Sequence, residues 1–204
     1  MNVLNIISTA GLCASMAFLG VLLASQICEA TTAFEDGPSS GSTSIPLLLG
    51  CVALLGAVVS MRGLSVPQLG VVAVLSLCLS AIWYSDVRRG IVPDVFTLVP
   101  LVAILGAAAY FQQWSMLLSS AVVFVPFAGA ALFSKGRGMG WGDVKLVALG
   151  GALLGAESAV LAFGIACAAA VIVAFVRNRR HEPIAFAPYL VGAIALAIAL
   201  HGLA

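Results

Sequence analysis

A chain of 204 residues that is 62% hydrophobic and only 8% charged, with a mean hydropathy of +1.17, cannot clothe a globular core in polar groups. Soluble domains carry about 25% charged residues because their surface faces water, so lipid must be the main solvent of this chain. The net charge of +1 points to no particular partner, and no nucleic-acid-binding role is expected.

Runs of about 20 apolar residues, enough to cross roughly 30 Å of hydrocarbon, follow one another along the chain. The first is predicted over residues 3–25, and a cleavable signal is not expected there because its start carries no Lys or Arg. A polar linker at 26–44 is rich in Ser, Thr and Gly and reads as a flexible, solvated connection. Further spans are predicted at 45–61, 66–84, 95–111 and 116–133. The stretch 143–176 is too long for one span, and Glu157 beside Gly155 divides it into a short helix and a full span. A last span is predicted at 184–203. The expected fold is an all-α polytopic membrane protein of about eight segments, organised as an N-terminal span (1–25), the linker (26–44) and a polytopic core (45–204).

Eight of the nine basic residues fall in three clusters: Arg88 and Arg89; Lys135, Arg137 and Lys145; Arg177, Arg179 and Arg180. Basic clusters beside spans mark the cytoplasmic side. Each pair of spans between the clusters is then a hairpin, which places all three on one face. The acidic linker and Arg62 run weakly against this orientation.

Each carboxylate in such a chain needs an account. Glu29, Glu35 and Asp36 lie in the linker, and Glu157 and Glu182 in loops. Asp86, Asp94 and Asp143 stand at the ends of spans. One hairpin separates Asp86 from Asp143, and a hairpin returns the chain to its starting face, so the two can meet at the cytoplasmic boundary. Paired carboxylates do not both ionise easily; one holds a proton while the other can deprotonate water. The competing reading is an interfacial charge or a helix cap, for which Asp143 is well placed. The glycines before Asp143 allow unusual backbone conformations and close approach of a substrate chain.

The five cysteines are scattered singly with no CxxC pair, and His181 and His201 are far apart, so neither zinc nor a disulfide framework is indicated and no cofactor is expected. The glycine-rich run from Gly136 to Gly140 lacks the preceding strand and following GK[ST] of a phosphate loop.

Three strings carry a resemblance. The run from Gly138 through Leu146, GMGWGDVKL, contains GxGD and resembles the second catalytic motif of type IV prepilin peptidases. The upstream DVRRGIVPD is similar to their first motif, and the run from Pro183 to Leu190 resembles the Pro-rich entry to their last span. Together the strings cover about residues 80–204, the expected catalytic part. The resemblance implies an aspartic-type endopeptidase of the cell inner (plasma) membrane, serving a type IV pilus or protein secretion. It would remove the basic leader of a prepilin or pseudopilin after a glycine, with Asp86 and Asp143 activating water. Lys145, Asp94, Gly140 and Gly142 would support the site or bind substrate. Lys145 reads as a cation near a carboxylate or developing oxyanion, or as a surface anchor. Asp94 stands where the family often has Asn; it could tune the pair, contact the basic leader or start a helix after Pro93. Many family members carry a domain with paired CxxC motifs where this chain has only 26–44, so peptidase activity without N-methyltransferase activity is expected. A small polytopic transporter or membrane scaffold with proton-relay carboxylates is the competing class. Nothing in the sequence specifies an oligomeric state.

Overall fold

The computed structural model describes residues 3–32, 45–61, 63, 65–133, 139–176 and 186–203. The described residues form eight helices and no strand: α1 (Val3–Thr32), α2 (Ile45–Ser60), α3 (Val66–Arg89), α4 (Asp94–Tyr110), α5 (Trp114–Phe133), α6 (Trp141–Leu154), α7 (Ala156–Val176) and α8 (Ala187–His201). The protein is an all-α membrane protein. Among the described residues, four helices are long and apolar enough to span a bilayer, corresponding to α1, α3, α5 and α7. Three shorter apolar helices correspond to α2, α4 and α8.

Two helices run five or more residues past the ends expected for them, while α8 (Ala187–His201) is shorter than the span expected at 184–203. Helix α1 continues to Thr32, so the first seven residues assigned to the linker are helical. Their composition is mixed, with Gln26, Glu29, Thr31 and Thr32 beside three apolar residues, yet Cys28 is buried and close to Arg88 and Arg89, so packing against α3 carries the helix onward. Helix α3 likewise runs past Tyr84 to Arg89, which puts Asp86 inside its last turn. The break at Gly155 lies where expected; its φ of 76° suits glycine, and Glu157 sits in the first turn of α7 rather than in a loop.

Because these helices are apolar nearly all round, hydrophobicity alone does not choose the buried face. Small residues do, since close backbone approach drives association where lipid competes for apolar contact. Helix α1 lies along α3 with Gly20 against the Leu77 carbonyl, and the Ser80 hydroxyl donates to the Ala17 carbonyl at 3.1 Å. The contacts of Cys13 with Ser76 and of Ala17 with Ser80 make this pair parallel. Helix α5 meets α6 through Gly151, which lies against Val123, and through a 2.9 Å bond from the Ser120 hydroxyl to the Ala148 carbonyl. On α7 a stripe of Ala159, Ala162, Phe163, Ala166 and Ala170 is buried, while Leu161, Ile165 and Ile172 point outward, as lipid-facing residues should.

Helix α6 is the hub. Eleven of its 14 residues are buried, and α4, α5, α7 and α8 all pack on it. At 1.5 Å per residue it is about 21 Å long, too short to cross the hydrocarbon core by itself. Its neighbours therefore supply the lipid-facing wall, and its first turn is set among other helix ends.

Candidate active site

One end of the bundle collects the C-terminal ends of α1 and α3 and the N-terminal ends of α4, α6 and α8. Helix α3 stops there because Gly90 adopts the left-handed conformation (φ 64°, ψ 26°), and its N–H donates to the Asp86 carbonyl at 2.7 Å. Tyr84, Ser85 and Asp86 of that last turn are all buried. The Ser85 hydroxyl is spent on the Ala81 and Ile82 carbonyls, leaving the Asp86 side chain as the turn's buried carboxyl. Arg88 lies over the Tyr84 ring, 5.5 Å from its centroid.

Asp86 is 6% exposed and Asp143 is 8% exposed. They come from different helices and are close enough to interact electrostatically. The backbone N–H of Ala187, the first residue of α8, donates to the Asp86 carboxyl. Asp143 is the third residue of α6, and its carboxyl accepts the backbone N–H of Gly140, the residue that caps the helix. That bond satisfies one of the donors a helix start leaves unpaired. Each carboxyl is thus tethered by a helix N-terminus. The second oxygens, Asp86 Oδ2 and Asp143 Oδ1, are buried with no hydrogen-bond partner among the described residues. Two buried carboxyls near enough to interact, each with a spare oxygen, can hold a water or a carbonyl group between them.

The supporting residues fall into place less as expected. Gly140 caps α6. Gly142 does not present open backbone: a Cβ there would fall 2.6 Å from the Cβ of Val92, so this glycine is used to seat the loop that follows α3. Asp94 opens α4 after Pro93, and its carboxylate is taken by Lys145 Nζ at 2.6 Å. That ion pair ties α4 to α6, with the Asp94 side chain 60% exposed. Residues 134–138 and 177–185, which carry Lys135, Arg137, Arg177, Arg179 and Arg180, lie outside the described residues, as do most of the linker, Arg62, His181, Glu182 and Pro183. Among the described residues no group of three or more His, Cys, Asp or Glu side chains is placed to hold a metal ion. Cys13, Cys28 and Cys78 are buried singly.

Three participants were not found from the sequence. The Ala187 N–H is a main-chain donor, and the Pro-rich string marks only the segment around it. Val92 acts through its bulk, for which no motif exists. The third is an apolar cavity of about 260 Å³ between α2, α3 and α8, lined among others by Leu55, Val72, Leu79, Trp83, Pro188 and Val191. It reaches the turn of α3 that carries Asp86 and the first turn of α8.

No curated protein and no solved structure matches the chain significantly. The family model of the type IV leader peptidases matches residues 73–175, half of the chain, and includes Asp86, Asp94, Asp143 and Lys145. With its two motifs joined at one end of an all-helical membrane bundle, the chain belongs to the type IV leader peptidase family.

Proposed function

We propose that Asp86 and Asp143 are the acid–base pair of an aspartic-type endopeptidase that removes the basic leader of a prepilin or pseudopilin after a glycine. One observation carries this reading: two buried carboxyls on separate helices interact with each other, and each keeps one oxygen free of protein hydrogen bonds among the described residues. Like charges at close range do not both ionise at low cost, so the pair shares a proton. The ionised member takes a proton from water as the water oxygen adds to the scissile carbonyl carbon. The protonated member gives its proton to the carbonyl oxygen, forming a tetrahedral intermediate. Collapse re-forms the carbonyl and breaks the C–N bond. The carboxyl that took the water proton delivers it to the leaving amine, and the other recovers its own. Water is the only co-reactant, and no metal, zinc or other cofactor takes part.

Arg88, Arg89 and Lys145 share the end of the bundle that bears the pair, which supports a cytoplasmic active site in the cell inner (plasma) membrane. Lys145 is engaged by Asp94, which favours an anchoring role over a direct one at the oxyanion. The competing class, a transporter or scaffold, would place its carboxyls midway along helices; here they sit at helix ends.

The experiment is a cleavage assay with membranes containing this protein and a prepilin whose basic leader ends in glycine. Asp86→Asn and Asp143→Asn should each lower the rate by roughly 10² to 10⁴, the usual contribution of a positioned acid or base. Parental rates in either variant would remove that residue from the mechanism.

A further inference from the structure

The two motifs touch at two points that bracket Asp143. Val92, in the four-residue loop between α3 and α4, lies on Gly142; a Cβ added to Gly142 would stand 2.6 Å from Val92 Cβ and 3.2 and 3.3 Å from its two γ carbons. These are atoms next to the loop backbone, so they cannot swing aside as the tip of a long side chain would. Three residues on, Lys145 holds Asp94 at 2.6 Å. The loop itself is pinned at its start by Gly90, whose N–H is bonded to the carbonyl of Asp86.

We propose that Val92 and Asp94 are positioning residues: together they latch the loop after α3 onto the first turn of α6 and thereby fix Asp143 relative to Asp86. This rests on the reading of Asp86 and Asp143 as the catalytic pair. Pairing across two separate helices needs a rigid link, because a catalytic pair works only when held within about 0.5 Å of its productive geometry. The glycine is the fitted half of the link, since any side chain there pushes loop and helix apart. The ion pair is the adjustable half. It is partly solvated, and such pairs contribute little alone, so Val92 on Gly142 is the stronger half of the latch and Asp94 with Lys145 the weaker.

The test is steady-state cleavage of a prepilin, scored as kcat and KM separately on folded protein. Relieving the overlap in Gly142→Ala requires a shift of about 1 Å, and misplacement of that size lowers rate on the order of a hundredfold. Gly142→Ala should lose that much in kcat, with KM little changed. Adding Val92→Gly should restore kcat to the level of Val92→Gly alone, which by itself falls far less. An unrescued double variant, or a loss confined to KM, would mean that Gly142 makes room for substrate and would overturn the latch.

The charge swap gives a second reading that does not depend on the folding of Gly142→Ala. Asp94→Lys and Lys145→Asp should each lower kcat by up to about fivefold, in line with a partly exposed pair, and the double swap should recover it. A double swap as impaired as Lys145→Asp alone would overturn the ion pair's part. Asp86→Asn in the same assay keeps the two ideas apart. Turnover surviving there overturns the catalytic pair, whereas its loss there beside an unrescued Gly142→Ala overturns the latch alone.

Discussion

The backbone N–H of Ala187 is directed at the carboxyl of Asp86, so the positive end of α8 bears on the last turn of α3. The donor is main chain, and the side chain at this position matters only through its volume, since Ala187 is fully buried. Ala187→Gly keeps both donor and space and should cleave at close to the parental rate. Ala187→Leu must push α8 away from Asp86; overpacking of this kind costs typically 1–3 kcal/mol, and the displaced donor should lower kcat as well. Thermal unfolding and kcat measured on the same preparations check both parts. Parental kcat in Ala187→Leu would show that the α8 terminus does not orient Asp86.

Close packing of α6 on α5 gives a stability prediction with an internal control. A Cβ at Gly151 would overlap Val123 and come within 3.0 Å of the Ser119 carbonyl. Gly151→Ala should therefore destabilise by about 1–3 kcal/mol. Gly164, on α7, has nothing within 4 Å of its added Cβ. Gly164→Ala should be neutral or stabilising by roughly 0.5–1 kcal/mol, because alanine loses less backbone entropy in a helix. Unfolding in detergent should thus show opposite signs for the same chemical change. Equal effects would mean that α5 and α6 do not approach as closely as described.

The order of helices, the break at Gly155 and the meeting of Asp86 with Asp143 at one end of the bundle are all readable from the chain. The first two rest on length and on glycine placement, which are local signals, and the third on the rule that a hairpin returns the chain to its starting face. The extension of α1 to Thr32 is not readable, because residues 26–32 mix Gln, Glu and two Thr with only three apolar residues and show no clear span pattern. Nor is the use of Gly142: its partner Val92 lies fifty residues away, and only the folded loop brings them together. Lys145 and Asp94 are readable as charges at span ends, but not as each other's partner. Which face of each helix is buried escapes hydropathy altogether, since Ile165 and Phe163 are equally apolar yet one is exposed and the other buried.

The product offers a prediction of its own. The segment 26–44 holds a single cysteine, Cys28, and no CxxC pair, and peptidase activity without N-methyltransferase activity is the expectation drawn from it. Mass spectrometry of pilin cleaved by this protein alone, with a methyl donor supplied, should find an unmodified N-terminus. A product heavier by one methyl group would place methyl transfer elsewhere in this chain.

Asp94→Asn separates charge from geometry at the edge of the site. The amide keeps an oxygen that can accept from Lys145, so the contact persists as a neutral acceptor while the ion pair is lost. With the Asp94 side chain 60% exposed, the pair's contribution is small. Cleavage should stay within about fivefold of the parent, and the difference should shrink as salt screens the parental pair. Complete loss of activity in well-folded Asp94→Asn would move Asp94 from positioning to chemistry, and would then require the water to be activated by a different pair of carboxyls from Asp86 and Asp143.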